Sequence, residues 1–171
     1  MVIDTVMKMG SEILYPVFQE MDQNPPRYEQ SQAKVHPAVR TFLDECGRGG
    51  WLNADWDYAD GGQQLPNMIK FTYWFVFSAA NYALGAYAQL IAGAANLIRE
   101  FASQELKDTY LEKLCSGVWQ GTMALTEPDV GSSLGDIMTS AQETDQGDYL
   151  IKGKKSSYPE LIRMQPRILS T

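Results

Sequence analysis

Histidine and cysteine are scarce in this sequence, which contains one histidine and two cysteines. A single histidine excludes a histidine-based catalytic triad and a metal site with several histidine ligands within this chain. The two cysteines, Cys46 and Cys115, are too far apart for a C-x-x-C motif and too few for a disulfide framework. We therefore expect two reduced thiols in helices, and we expect His36, which precedes Pro37, to be an ordinary surface residue.

An excess of basic residues is also missing. Fourteen Lys and Arg stand against twenty-one Asp and Glu, which gives a formal net charge of −7. Because a protein of this charge repels the phosphate backbone, nucleic-acid binding is a poor interpretation. A secretory signal is not evident either, since Asp4, Lys8 and Glu12 interrupt what would be its apolar segment. We expect a cytoplasmic protein.

Charge is absent from Phe71 to Ile98. An apolar stretch of this length is a candidate membrane-spanning helix. The polar side chains of Asn81 and Asn96, and the lack of basic clusters at either end, favour two buried helices of a soluble bundle. These helices are predicted from Asn67 to Ala80 and from Leu84 to Phe101. A membrane protein remains the alternative.

Proline and glycine delimit the helical patterns that come before this stretch. Apolar residues recur at helical spacing from Val2 to Met21, and Pro16 is expected to kink that helix. A polar connector then runs to Lys34. A second helix is predicted from Pro37 to about Gly49, with four apolar residues on one face. These are Val39, Phe42, Leu43 and Cys46.

The segment from Trp51 to Pro66 is rich in glycine and aspartate, and we expect a loop whose aromatic side chains pack inward. Those aromatic residues are Trp51, Trp56 and Tyr58. Farther along, Ser103 is a candidate N-cap for a helix that Gly117 ends. The residues expected to be buried along that helix are Leu106, Tyr110, Leu111 and Leu114.

After Gly117 the apolar pattern changes to a period of two. Strands are predicted near Trp119 to Leu125, Ile137 to Gln142 and Tyr149 to Lys152, with a turn at Asp145 to Asp148. The fold class is therefore mainly α, with a helical bundle followed by the first strands of a sheet.

The stretch from Gly121 to Asp136 reads G-T-M-A-L-T-E-P-D-V-G-S-S-L-G-D and joins an apolar run to a loop rich in glycine and serine. Such a loop lets backbone N–H groups and hydroxyls approach a polar ligand closely, for example a phosphate or the edge of a heterocycle. The alternative is a plain turn between two strands.

Several motifs around this stretch resemble the acyl-CoA dehydrogenase family. Glu105 to Gly117 has the form E-L-K-x-x-Y-L-x-K-L-x-S-G, a strand and T-E-P-x-x-G-S follow, and upstream stand G-G-W and Y-A-D-G-G-Q. The likeness extends roughly from Val35 to Lys155. Val130 stands where a small residue is usual, and Ser133 stands where an aspartate is usual.

The resemblance implies three parts of the chain. Residues 1–117 would be the N-terminal helical domain, and residues 118–155 would begin a β-barrel-like middle domain. Residues 156–171 would be an out-of-frame tail, because the family would continue here as K-I-F-I-S-G. For one choice of codons, inserting a single adenine after the Lys155 codon restores this continuation. The sequence is thus interpreted as a frameshift-truncated fragment of a longer enzyme.

The family's reaction is the oxidation of an acyl-CoA to the trans-2-enoyl-CoA in fatty-acid or related catabolism. By resemblance, a carboxylate takes the α-proton, FAD takes the β-hydride, and an electron-transfer flavoprotein receives the electrons. The signature is most similar to the branch that includes methylthiopropionyl-CoA dehydrogenases. The full-length form would be a homo-oligomer, a dimer or a tetramer.

The resemblance also suggests roles for residues of the signature. Thr126 would bond the pyrimidine edge of FAD, and Ser132 would also meet the CoA arm of the substrate. Glu127 would be structural, because the family's base comes from a later helical domain. Without that domain this chain would be inactive, and the alternative function is a non-enzymatic helical interaction module. The residues implied to line FAD are Met123, Ala124, Leu125, Thr126, Gly131 and Ser132.

Overall fold

The computed structural model describes residues 1–30 and 32–156, so nearly all of the tail interpreted as out of frame lies outside the described residues. The chain divides into two compact units. A helical unit comprises Met1–Arg27 and Val35–Thr122, and a hairpin unit comprises Tyr28–Lys34 and the described residues from Met123 onward. The boundaries suggested by the family resemblance remain predictions.

The described residues contain five α-helices and four short strands, besides short π-helical and 3₁₀ turns. The helices are α1 (Val2–Met9), α2 (Phe18–Gln23), α3 (Ala38–Arg48), α4 (Asn67–Phe101) and α5 (Gln104–Cys115). The strands are β1 (Arg27–Glu29), β2 (Gln32–Lys34), β3 (Ser140–Glu143) and β4 (Tyr149–Lys152). The mainly α fold class is confirmed.

Pro16 interrupts the first predicted helix. The chain leaves α1 through a π-helical turn, Gly10–Leu14, and a 3₁₀ turn, Tyr15–Val17, before α2 begins. Proline has no N–H to donate and its ring crowds the carbonyl of the preceding turn, so a regular α-helix cannot continue through it. The predicted kink is confirmed.

A break at Asn81 divides α4 into two helices. Asn81 has an extended backbone (φ −163°, ψ 96°) between two helical stretches. The amide of Gln89 donates to the Ser78 hydroxyl at 3.2 Å although the two residues are eleven positions apart. In a straight helix that separation would be about 16 Å, so the chain bends sharply. The predicted division is confirmed, at Asn81 itself.

By length and composition, α4 also passes the criterion for a membrane-crossing helix. The bend, however, brings the two halves of α4 together. The Asn81 amide donates to the Leu14 carbonyl at 3.3 Å, and its side-chain oxygen accepts from the Leu84 N–H at 3.2 Å. A helix core of packed segments with a satisfied buried amide accounts for the apolar composition of this stretch.

The core of the helical unit is an aromatic cluster around α3 and α4. Phe42 meets Phe77 edge to face with ring centroids 5.4 Å apart, and Trp51 meets Tyr73 at 5.2 Å. The Tyr73 hydroxyl donates to the Trp51 carbonyl at 3.0 Å, so its polar end is also paired. The four predicted core residues of α3 are all fully buried.

The loop before α4 packs inward as expected. Trp56 is buried, and its indole N–H donates to the Asn96 side-chain oxygen at 2.7 Å. Trp51 is buried as well, whereas Tyr58 is exposed, so the expectation for Tyr58 is wrong. Tyr58 opens a 3₁₀ turn at the rim of the loop, and its ring is left in solvent.

Two features of the helical unit correct the sequence-based expectations. His36 is not an ordinary surface residue: its side chain is 14% exposed, and Nε2 lies 3.2 Å from Glu20. Its Nδ1 accepts from the Ala38 N–H at the start of α3, which needs a capping acceptor. In α5 Leu114 is buried as expected, Tyr110 and Leu111 are half-buried, and Leu106 is 45% exposed, so the expectation for Leu106 is wrong.

The strand predicted from Trp119 to Leu125 is absent, and these residues have no regular structure. A strand forms only where a neighbouring backbone completes the ladder, and no described strand pairs with this segment. The polar connector, conversely, contains the β1–β2 pair, which its composition did not indicate.

The second hairpin has the predicted turn and the predicted strand β4. Its first strand, predicted from Ile137, begins only at Ser140, because the N–H groups of Met138 and Thr139 donate to the Glu127 side chain and not to a strand partner. β3 and β4 pair antiparallel, with Ser140 opposite Lys152 and Glu143 opposite Tyr149. The turn closes through the Thr144 N–H to the Asp148 carbonyl at 2.8 Å. Gly147 adopts φ 82°, a conformation that glycine reaches without steric penalty and that suits a bulged hairpin turn.

Candidate functional site

The T-E-P signature forms a tight turn at the start of the glycine- and serine-rich loop. The Glu127 N–H donates to the Val130 carbonyl at 2.9 Å, and the Val130 N–H donates back to the Glu127 carbonyl at 3.1 Å. Pro128 favours this geometry because its ring restrains φ in the second turn position. Val130, which stands where the family has a small residue, is buried at 6% exposure.

The Glu127 carboxylate is the centre of a polar network in the hairpin unit. One oxygen accepts from the Met138 N–H at 2.8 Å. The other accepts from the Thr139 N–H at 3.0 Å and the Thr139 hydroxyl at 2.5 Å, and it pairs with the Lys155 ammonium at 2.9 Å. The side chain is only 5% exposed. Four donors from two segments of the chain therefore converge on one carboxylate.

These donors all favour the ionised carboxylate. The Thr139 hydroxyl, the Met138 N–H and the Lys155 ammonium together lower the pKa of Glu127 from 4.5 to about 2. A proton-abstracting base needs a pKa near the working pH and access to substrate, and Glu127 has neither. Its expected structural role is supported by this geometry.

Beyond the turn, residues 131–133 present unpaired donors. Within residues 1–30 and 32–156, their backbone N–H groups and the hydroxyls of Ser132 and Ser133 make no hydrogen bond. All three residues are exposed. A Cβ built on Gly131 would meet no atom within 4 Å, so the backbone is open to close approach.

The segment from Met123 to Thr126 is also exposed. Its carbonyls are engaged, since Leu125 accepts from the Lys155 ammonium at 3.1 Å and Thr126 accepts from the Ser156 N–H at 2.7 Å. The Thr126 hydroxyl has no partner in the part of the chain that the structure describes. The six residues implied to line a cofactor thus lie on either side of one turn, and their role remains a prediction.

The donor set suits an acceptor-rich organic cofactor better than a metal ion. Among the described residues, no group of three or more His, Cys, Asp or Glu side chains could hold a metal. A row of N–H and hydroxyl donors on an open loop matches carbonyl oxygens, ring nitrogens and phosphates. The residues present therefore fit the edge of a flavin.

Two residues of the network were missed by the sequence reasoning, namely Thr139 and Lys155. The sequence did contain one indication of this network: Glu127 lies between an apolar run and a proline, and a glutamate buried at such a position needs a hydrogen-bonding or charged partner. The identity of that partner depends on how the hairpin folds back, and no local pattern contains it.

Gly121, the first residue of the signature stretch, packs directly on α4 within the helical unit. A Cβ there would overlap the Cβ of Ala94 and would lie 3.3 Å from the Leu90 carbonyl oxygen. At this point, therefore, the small side chain of Ala94 on α4 lets the backbone of Gly121 pack closely against the helix.

Comparison with known proteins gives a consistent result. The family model of the acyl-CoA dehydrogenase N-terminal domain matches residues 1–118. A butyryl-CoA dehydrogenase of Syntrophomonas wolfei is 32% identical over 158 residues, which is 90% of this chain and 26% of that protein. A 3-methylmercaptopropionyl-CoA dehydrogenase of Ruegeria pomeroyi is 30% identical over 144 residues, 84% of this chain and 24% of that protein.

A solved structure shares the fold. An acyl-CoA dehydrogenase from Bacillus anthracis, complexed with FAD, matches with a TM-score of 0.71 at 24% identity. The match covers 90% of this chain and 25% of the other chain. This chain spans about a quarter of the length of these relatives.

Proposed function

The chain belongs to the acyl-CoA dehydrogenase family, and we propose that it supplies the helical domain and the first cofactor-binding loop of an enzyme that oxidises an acyl-CoA to the trans-2-enoyl-CoA. The observation that carries this proposal is the row of unpaired donors at residues 131–133 beside the T-E-P turn. A flavin is the acceptor-rich group that this family uses, and the loop leaves room for one.

When bound, FAD supplies the two-electron oxidation of the acyl chain. This chain's part is to bind and orient it. The Thr126 hydroxyl and the N–H groups of residues 131–133 donate to the flavin edge without titrating, so their effect does not change with pH near neutrality. By family resemblance, the Ser132 hydroxyl would also meet the CoA arm of the substrate.

The 171 residues by themselves are proposed to be inactive and to hold FAD weakly. One loop cannot enclose a cofactor, and the base that removes the α-proton is not Glu127. The remaining parts of the machinery correspond to the portions of the relatives that this chain does not match.

Partners and location follow from the same proposal. The whole enzyme would act as a homo-oligomer in the cytoplasm, without a membrane span, and would pass electrons to an electron-transfer flavoprotein. The charges of Asp4, Lys8 and Glu12 and the bend at Asn81 support the soluble interpretation.

A chimera tests the proposal. In the chimera, residues 1–155 would replace the matching N-terminal part of the Syntrophomonas wolfei butyryl-CoA dehydrogenase. The 171-residue chain alone would be measured in parallel. We expect the chimera to purify with visible flavin absorbance and to oxidise butyryl-CoA or 3-(methylthio)propionyl-CoA, and we expect the short chain to do neither. A colourless, folded chimera would contradict the cofactor role and would favour the helical interaction module.

Two loop variants in the chimera locate the site. Thr126→Ala removes about one charge-assisted hydrogen bond to the flavin, and it should weaken flavin binding or slow flavin reduction by about 1.5–3 kcal/mol. Thr122→Ala is the matched control, since Thr122 lies in the same stretch, is exposed and has no hydrogen-bond partner among the described residues. Equal flavin affinity in both variants would place the site elsewhere.

A third variant separates flavin from substrate. Ser132→Ala should raise the KM for acyl-CoA with little change in flavin content, because its backbone N–H remains in place. A change in flavin content alone would assign Ser132 to the cofactor and not to the CoA arm.

A further inference from the structure

One buried carboxylate joins three segments of the hairpin unit that are distant in sequence. Glu127 belongs to the T-E-P turn, Met138 and Thr139 lie just before β3, and Lys155 follows β4. The hairpin itself spans the residues between Thr139 and Lys155, so the carboxylate connects both ends of the hairpin to the turn. Among the described residues of this unit, Glu127 and Val130 are the buried ones.

The loop with the unpaired donors lies between two of these attachment points. It leaves the turn at Val130 and reaches the carboxylate again at Met138. Between them, a 3₁₀ turn at Leu134–Asp136 gives the only regular structure of the described loop. The loop has no apolar core that could define its path, so its ends are held by hydrogen bonds to Glu127.

We propose that Glu127 is a positioning residue, whose carboxylate closes the loop 131–137 against the T-E-P turn and thereby holds the donors of residues 131–133 in place for the cofactor. Lys155 is its counter-ion and anchors the chain after the hairpin to the same point. The identity of the cofactor rests on the proposed function, but the closing of the loop does not.

The test uses the full 171-residue chain, labelled with ¹⁵N and without FAD. Glu127→Gln keeps the shape of the side chain and removes its charge. Asp129→Asn is the matched control, because Asp129 lies in the same turn, is exposed and makes no hydrogen bond or ion pair within residues 1–30 and 32–156. Both variants remove one negative charge from the turn.

Amide hydrogen exchange reports the hydrogen bonds directly. In Glu127→Gln the Met138 and Thr139 amides should exchange about tenfold faster or more, as expected for the loss of bonds to a charged acceptor. The Asp129→Asn chain should match the wild type. Unchanged exchange at Met138 and Thr139 in Glu127→Gln would overturn the inference.

Backbone order in the loop separates positioning from general stability. The heteronuclear NOE of Gly131, Ser132 and Ser133 should fall in Glu127→Gln at temperatures far below unfolding, while helical amides such as that of Phe42 stay rigid. An unchanged NOE at these three residues would leave Glu127 with a stabilising role alone and would overturn the inference.

Lys155→Met keeps the inference testable if Glu127→Gln does not fold. It removes the contacts of Lys155 with the Glu127 carboxylate and with the Leu125 carbonyl, and it leaves the donors of Met138 and Thr139 in place. The NMR-measured titration midpoint of the Glu127 carboxylate should rise in Lys155→Met and should not change in Lys154→Met, since Lys154 is exposed and unpaired among the described residues. Equal midpoints in the two variants would show that Lys155 is not the counter-ion.

These measurements need no flavin. A chimera without flavin, combined with faster exchange at Met138 and Thr139 in Glu127→Gln, would contradict the proposed function and support the loop-closing role. A yellow chimera, combined with unchanged amide exchange and loop order in Glu127→Gln, would support the proposed function and contradict the loop-closing role.

Discussion

The helical unit and the hairpin unit are stabilised by different interactions. In the helical unit large apolar side chains such as Phe42, Trp56 and Phe77 are almost completely buried. In the hairpin unit the apolar side chains of Tyr149, Leu150 and Ile151 are exposed. There the contacts converge on the ionised carboxylate of Glu127. The helical unit thus depends on side-chain volume, which is insensitive to pH, whereas the hairpin unit depends on the charge of one group.

The largest change in the free energy of unfolding is expected for a substitution in the aromatic core of the helical unit. Phe42→Ala should lower the free energy of unfolding by about 3–5 kcal/mol, because it leaves a cavity against Phe77. Phe75→Ala, at an exposed position, should change it by about 0.5 kcal/mol or less. Denaturant unfolding followed by tryptophan fluorescence measures both. Similar losses in the two variants would show that the aromatic cluster is not the stabilising core.

A smaller effect is expected at the break in α4. Asn81→Ala removes the donor to Leu14 and the acceptor of Leu84, and should lower stability by about 1–3 kcal/mol. Asn67→Ala is the control, since Asn67 is exposed at the start of the same helix. Equal stability of the two variants would mean that the buried amide does not hold the bend.

Acid should affect the hairpin unit selectively. The folded-state pKa of Glu127 lies below its unfolded value, so its contribution to stability is present above pH 4.5 and is lost as the pH falls from 4.5 towards about 2. The protection factors of the β3 and β4 amides, which correct for the pH dependence of intrinsic exchange, should therefore fall as the pH falls through this window. In Glu127→Gln this pH-dependent change should be absent. If it persists, another carboxylate causes it.

The smallest effect concerns the two thiols and leaves stability unchanged. Burial raises the pKa of Cys46 strongly and that of Cys115 from 9.0 to about 11. The thiolate fraction of Cys115 near neutral pH then falls about a hundredfold, so it should react slowly with a disulfide reagent. Cys46, which is fully buried, should react only on unfolding. Fast labelling of Cys46 in the native chain would contradict the tight packing of α3.

Much of the fold could be predicted from local sequence. Pro16, Ser103 and Gly117 interrupt, cap and end helices at the positions expected from their chemistry. The hairpin turn at Gly147 and the strand β4 were also predicted correctly. In each case the interactions that stabilise the cap, the helix end or the turn lie within a few residues of the chain. The local sequence pattern is therefore enough to predict them.

The candidate site could be predicted only in part. The position of the turn and the open backbone at Gly131 follow from the letters of the signature. The assignment of individual residues to FAD rests on family resemblance and stays a prediction. The network around Glu127 could not be predicted, because its donors are 11 to 28 positions away.

By itself, the sequence determined the order of the helices and the break between the two halves of α4, and its motifs indicated the family. The tertiary structure alone decided that Trp119 to Leu125 does not form a strand and that the His36 side chain is largely buried beside the first turn of α3. It also decided that Thr139 and Lys155 bind the carboxylate of the signature turn. The physical reason is the range of the interactions. Capping, turns and helical periodicity act between neighbours in the chain, whereas ladders, burial and ion pairs depend on partners that only folding brings together.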